Sequence, residues 1–189
     1  MKRAIILHGK PSKEGYYSTD RDSESNSHWL PWLQHQLCVR DVLAQTPEMP
    51  APYAPDYERW REEFERQAID EDTILVGHSC GGGFLTRWLS EASVQIDKLV
   101  LVAPWLDREH DYEDLFQFEL DENLAKKTKH GIDVLYSTND GPQMQSTLAF
   151  LRERLPDARY HEFVDYGHFC LRDMNTREFP ELLTICIDE

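Results

Sequence analysis

Positive charge is scarce in this 189-residue sequence: 20 Lys and Arg stand against 35 Asp and Glu, a formal charge of −15. That field repels phosphate backbones and anionic membrane surfaces, so neither nucleic acid nor a membrane is expected as a partner. Long apolar runs are missing as well, and no segment approaches the roughly 18 apolar residues of a membrane span. At the N-terminus only Ala4 to Leu7 are apolar before His8 interrupts, short of the roughly 7–15 residues at the core of a signal peptide. Cysteine is sparse. Cys38, Cys80, Cys170 and Cys186 form no C-x-x-C pair and no dense cluster, which argues for reduced thiols in a cytoplasmic protein rather than a disulfide framework. The eight histidines show no H-E-x-x-H or similar spacing, so no metal site is expected.

What is present has the balance of an ordinary globular domain, 40% AVILMFWYC and 29% charged residues. Short apolar runs alternate with helix-patterned stretches, which predicts parallel strands joined by crossover helices. Strands are expected over Ala4–His8, Val39–Gln45, Thr73–Gly77, Lys98–Val102, Ile132–Tyr136 and Arg159–Val164. Helical patterns fall near Ser27–Leu37, Asp56–Ile69, Cys80–Ala92, Gly141–Leu155 and Thr176–Ile187. In the second of these, Tyr57, Trp60, Phe64 and Ala68 make one apolar stripe, with Asp56 placed to cap the start. Lys10–Ser27 is polar and turn-rich. Ala103–Gly131 lacks a clear period apart from a short helix expected around Glu113–Leu120. No repeat and no interdomain linker is evident, and the Pro-rich stretch Thr46–Pro55 reads as a loop. The whole of 1–189 is expected to form a single α/β domain.

The sharpest pattern is ILVGHSCGGGF, Ile74 to Phe84. It is G-x-S-x-G set between an apolar strand and a helix-compatible stretch, the context a nucleophile elbow needs. Such a turn holds its serine in a strained backbone conformation, so the residues two before and two after must lack side chains. Gly77 and Gly81 meet that need. The strain exposes the hydroxyl and aims the following N–H at the reaction centre. A phosphate loop would require Lys and then Ser or Thr after its last glycine, whereas Gly83 is followed by Phe84.

A serine hydroxyl is a weak nucleophile and needs a base, and the base needs an orienting acid. On an α/β-hydrolase sheet the chain order is Ser, then Asp or Glu, then His, with the last two on loops at strand C-termini. Asp140 in VLYSTNDGP and His168 in EFVDYGHF stand in that order, each just past a predicted strand. Asp133 and Asp157 fall at the wrong ends of theirs. Asp165, close to His168, reads as a turn former, so Asp140 is the favoured acid. His161 lies within a strand and reads as structural, while His28, His35, His110 and His130 read as surface or loop residues. The oxyanion hole should draw one donor from the Cys80 N–H and a second from the loop after the first strand. There the Lys10 amide is favoured, with Gly9 the alternative. Trp105 is a candidate substrate-binding residue, or else packs over the sheet.

Taken together, AIILHG, SHWLPWL, VGHSCGG, LVLVAPW, STNDGP and DYGHF run through most of the chain in an order that resembles the compact serine hydrolases of the YdeN and retinoblastoma-binding-protein type. The resemblance implies an α/β-hydrolase core, a doubly wound, mostly parallel sheet of about six strands with helices on both faces and no large cap. It carries the triad onto Ser79, Asp140 and His168, and it implies hydrolase activity with no cofactor. Lys10–Asn26 is longer than the family's usual first-strand loop. The Leu-x-Cys-x-Glu tag for pocket-protein binding is absent, so no partner protein is carried over. The expectation is a cytoplasmic carboxylesterase acting through an acyl-enzyme on small-molecule, short-acyl esters. Its rival is the same fold with an idle triad, serving in binding or regulation.

Overall fold

The computed structural model describes residues 1–108 and 115–188. Six strands, β1 (Arg3–Leu7), β2 (Leu43–Gln45), β3 (Thr73–His78), β4 (Lys98–Val102), β5 (Ile132–Ser137) and β6 (Arg159–Phe163), form one sheet in the order β2-β1-β3-β4-β5-β6. Every pairing is parallel. Helices run over α1 (Lys13–Tyr16), α2 (Leu30–Cys38), α3 (Tyr57–Phe64), α4 (Cys80–Glu91), α5 (Pro142–Arg154), α6 (Leu171–Met174) and α7 (Pro180–Ile187). None of them, among the described residues, is long and apolar enough to cross a membrane.

The two faces of the sheet follow from strand alternation. Ile5, Leu7, Leu75, Leu99, Leu101 and Val134 point to one side, where α3, α4 and α5 cover them. Ala4, Ile6, Val76, Val100, Val102 and Leu135 point to the other, under α2 and α7. The α3 stripe works as the spacing implies: Tyr57, Trp60 and Phe64 are buried, and all three rings pack against Phe84 of α4. Each such burial stabilises by about 1.5–3 kcal/mol.

Several boundaries differ from expectation. The strand expected over Val39–Gln45 is confined to Leu43–Gln45, because α2 runs on to Cys38 and unwinds through a turn with Asp41 at φ 61°. That turn closes through Val42 N–H to the Leu37 carbonyl at 3.1 Å. The helix expected over Asp56–Ile69 stops at Phe64, leaving Ala68 exposed. α2 and α7 start later than their patterns, at Leu30 and Pro180, each with a proline in its first turn. The expected helix around Glu113–Leu120 lies partly outside the described residues, and Leu115–Leu120 are irregular, with a turn at Leu115 and Phe116. The polar Lys10–Ser27 stretch contains α1 and a 3-10 turn at Glu24–Asn26.

Strand order reverses between β1 and β3, which lie side by side with Leu7 opposite Gly77. Such a switch point leaves a crevice at the carboxyl ends of the strands. Gly9 leaves β1 there and Ser79 leaves β3, and the loops after β5 and β6 end at the same edge.

Candidate active site

Ser79 joins β3 to α4 with φ 53° and ψ −118°, a sparsely populated conformation that costs of the order of 1–3 kcal/mol. The surrounding hydrogen bonds hold it there. Its N–H donates to the Val102 carbonyl at 2.9 Å, and its carbonyl accepts from Gly83 N–H at 3.1 Å and Trp105 N–H at 3.0 Å. The flanking glycines are there for contact: a Cβ at Gly77 would lie 2.6 Å from Gly82, and one at Gly81 would lie 2.5 Å from the His8 carbonyl oxygen.

The structure brings the three sequence-predicted triad residues together. His168 Nε2 is 2.9 Å from Ser79 Oγ. His168 Nδ1 is 2.9 Å and 3.1 Å from the two carboxylate oxygens of Asp140. A carboxylate only accepts, so Nδ1 carries the proton and Nε2 presents its lone pair to the serine hydroxyl. The Asp140 side chain is 7% exposed and that of His168 26%, so the acid is sheltered while the base faces the cleft. Asp165 instead sits exposed at φ 62° and donates its N–H to Thr138 Oγ1.

Residues that sequence reasoning passed over hold the two loops together. Asn139 Oδ1 accepts from Ser137 Oγ–H and from Gly167 N–H, both at 2.8 Å, so the acid loop supports the base loop directly. Asp173 Oδ2 accepts from His168 N–H at 3.1 Å and from Cys170 N–H at 3.4 Å. His78 Nε2–H donates to the His168 carbonyl at 2.8 Å. The available signal was a short polar residue beside each candidate, which no periodicity picks out. His28, read as a loop residue, lies in the cleft wall and accepts from Leu171 N–H through Nδ1 at 3.1 Å.

Cys80 opens α4, where the first N–H groups have no intrahelical acceptor. Burial pushes its thiol far above the usual range. Gly9 lies against the nucleophile, since a Cβ there would be 3.2 Å from Ser79 Cβ. The Gly9 carbonyl accepts from His8 Nδ1–H at 2.8 Å, and His8 Nε2 accepts from Met49 N–H at 2.9 Å. Trp105 is buried, with its ring edge-on to Phe116 at 5.2 Å in the core under α4. Among the described residues no group of three His, Cys, Asp or Glu side chains is placed to hold a metal ion. At the far end of the sheet His161 pairs with Asp133 at 2.7 Å and His130 with Asp97 at 2.5 Å.

Beside His168 opens a cleft of about 810 Å³ between the Lys10–His28 segment and the residues after His168. Most of its lining residues carry polar or charged groups, Lys10, Arg21, Glu24, His28 and Arg172 among them, with Pro11 and Leu171 between them. Arg177 ties the two sides by donating to Asp22 at 2.6 Å and to the Asn26 carbonyl at 3.0 Å.

A doubly wound parallel sheet with a strained serine turn at its carboxyl edge is the architecture of an α/β-hydrolase-type serine hydrolase. The Serine hydrolase family model matches residues 15–182, and the chain belongs to that family. Among solved structures it is similar to the ydeN gene product from B. subtilis, at 26% identity over 98% of this chain and 96% of that one, with a TM-score of 0.80. A YdeN-like hydrolase from Pectobacterium atrosepticum shares 18% identity over 98% of this chain and 89% of that one, at a TM-score of 0.67. A methylesterase from Arabidopsis shares 14% identity over 98% of each chain, at 0.62. These last two show the likeness of fold. No curated protein matches the chain.

Proposed function

We propose that the protein hydrolyses small carboxylic esters through an acyl-enzyme, with Ser79 as nucleophile, His168 as general base and acid, and Asp140 as the group that orients and charges against His168. The observation that carries this reading is the unbroken chain from Ser79 Oγ through His168 to Asp140, at 2.9 Å on each side of the imidazole. Ser79 Oγ attacks the ester carbonyl while its proton passes to His168 Nε2, giving a tetrahedral oxyanion. That intermediate collapses, the alkoxide takes the proton from His168 and leaves, and the acyl group stays on Ser79. Water then repeats the sequence, giving its proton to His168 and its oxygen to the acyl group, which departs as the carboxylic acid as the proton returns to Ser79. No cofactor enters either half.

The oxyanion needs donors, each worth about 10²–10³-fold in rate. Cys80 N–H at the start of α4 supplies one. For the other, Lys10 is favoured over Gly9, because His8 holds the Gly9 carbonyl. The carbonyl and N–H of a trans peptide point to opposite sides, so the Lys10 N–H points away from His8. Lys10 also lines the cleft next to His168. Four free thiols fit a reducing, cytoplasmic setting.

A fluorophosphonate probe together with p-nitrophenyl acetate tests the reading. Wild-type protein should label at Ser79 and turn over the ester, and Ser79→Ala should do neither while remaining folded. Asp140→Asn should lose about 10⁴-fold in kcat, as loss of the orienting carboxylate does in serine-protease triads. An unlabelled wild type would favour a binding protein on a hydrolase frame. Activity that survives Asp140→Asn but not Asp165→Asn would move the acid.

A further inference from the structure

His78 stands one residue before Ser79 as the last residue of β3, and its side chain is buried. A filler at such a place would be apolar, because a buried polar atom without a partner costs about 1–3 kcal/mol. His78 carries that cost, since its Nδ1 is buried with no hydrogen-bond partner. Its Nε2–H, by contrast, reaches the backbone carbonyl of His168 at 2.8 Å.

The ring lies between the two catalytic loops and the loop after β1. It is 5.2 Å from the His168 ring and edge-on to Trp29 and His28 at 5.7 Å each. On its other side, a Cβ at Gly9 would be 3.6 Å from Nδ1. A closed circuit results. It runs from Ser79 along one peptide bond to His78, through the imidazole to the His168 carbonyl, and through the His168 side chain back to Ser79 Oγ at 2.9 Å. Asp173 holds the His168 N–H from the opposite side at 3.1 Å. The backbone of the base is thereby clamped at both its donor and its acceptor.

We infer that His78 is a positioning residue, whose Nε2–H holds the His168 backbone at the distance from which the His168 imidazole reaches Ser79. The inference rests on the hydrolase reading above. It assigns no contact with substrate to His78, which lies outside the residues lining the cleft.

The test is a pair of variants with different donors. In His78→Gln the amide nitrogen takes the place of Nε2 and still donates, whereas His78→Leu fills the space without a donor. An ångström of misplacement at a reacting group costs up to about 10²-fold. His78→Leu should therefore lose about 10–100-fold in kcat and in the rate of fluorophosphonate labelling, with KM for p-nitrophenyl acetate within about twofold of wild type. His78→Gln should recover most of the loss. A folded Leu variant with wild-type kcat overturns the inference, as does equal impairment of both variants. Independently of whether the variants fold, ¹⁵N spectra of histidine-labelled wild-type protein should show His78 neutral and protonated at Nε2 at pH 7. An Nδ1-protonated or charged His78 overturns it. A wild type that neither labels nor hydrolyses overturns the hydrolase reading itself, and this inference with it.

Discussion

His78 stands in ring contact with both His28 and His168, and His168 reaches the Ser79 hydroxyl, yet their surroundings give the three different work. Burial, with the neighbouring His168, holds His28 down to about 4 and keeps His78 well below the ordinary histidine range. Both stay neutral wherever the protein is expected to act, and His78 keeps the single Nε2 proton it donates. The two thiols beside the site are quiet for the same reason: burial pushes Cys80 far above its ordinary range and Cys170, next to the base loop, up to about 12, so hydroxyl rather than thiolate chemistry is available here. Burial acts on Glu24 in the cleft wall in the same sense, now on a carboxyl. Burial, reinforced by Glu48 and opposed by Arg21, raises it from 4.5 to about 7. Between those two values the folded protein holds a proton that the unfolded chain has given up. Stability therefore falls as pH rises from about 4.5 to about 7, and the penalty stays in full above that. Glu24→Gln removes the ionisation, so it should gain on wild type in urea unfolding at pH 8 and change little at pH 4.5. An equal gain at both pH values would mean that Glu24 titrates normally.

At the level of elements, α4 has to be held at both ends, since its first residue presents the Cys80 N–H and its last turn faces the opposite edge of the sheet. Lys127 serves the far end. Its ammonium donates to the carbonyls of Leu89, Ser90 and Ala92 at 2.8, 2.9 and 3.0 Å, and it pairs with Asp121 at 3.0 Å. A cation at a helix C-terminus is worth up to about 2 kcal/mol where partly buried. Lys127→Met should lower the melting temperature by a few degrees at this chain length and leave kcat/KM for p-nitrophenyl acetate unchanged, which differential scanning calorimetry and a steady-state assay would check together. A fall in kcat/KM at full stability would instead tie this cap to the elbow. The contrast shows what the sequence could reveal. Strand alternation and the α3 stripe are local repeats, and Gly77 and Gly81 answer a steric demand of the serine between them, so the sheet and elbow were legible. The order Ser79, Asp140, His168 was legible because each stands just past an apolar run. Asn139, His8 and His78 act through bonds between segments far apart in the chain, Asp173 through bonds within an irregular loop that no period marks, and Lys127 caps a helix it does not belong to. α1 and α6, four residues each, are too short for any period to show.

For the molecule as a whole, the question is where an acyl chain would go. The connection after β4 is where a cap would be inserted, and its described residues are pressed onto the core. Trp105, Leu106, Leu115, Phe116, Leu120 and Leu124 are all buried against the α3–α5 face. A Cβ at Gly83 of α4 would lie 2.0 Å from the Trp105 carbonyl oxygen and 2.5 Å from Phe116. Arg87 pins the Leu115 carbonyl at 3.0 Å, and Thr147 Oγ1 accepts from Leu106 N–H at 3.2 Å. The apolar side chains of this stretch are thus spent on packing. On the other side of the site, the cleft beside His168 is open and lined mostly by charged and polar residues, with Pro11 and Leu171 its aliphatic side chains. Tyr16 and Tyr17 of the Lys10–His28 segment are turned to Tyr53, at 5.1 and 5.5 Å. A methylene contributes about 0.8 kcal/mol when apolar walls bury it, roughly fourfold in kcat/KM for each one added. Without such walls the gain disappears while the bulk remains. A p-nitrophenyl ester series should therefore show kcat/KM highest for acetate, lower for butyrate, and no recovery through octanoate or decanoate. Adding a micellar interface should not raise the rate. Trp105→Ala should lower stability as loss of a core ring does, about 3–5 kcal/mol, without changing the order of the esters. A steady rise of several-fold per two carbons would mean that an apolar channel opens at this edge, and a changed ester order in Trp105→Ala would place its ring on the acyl group.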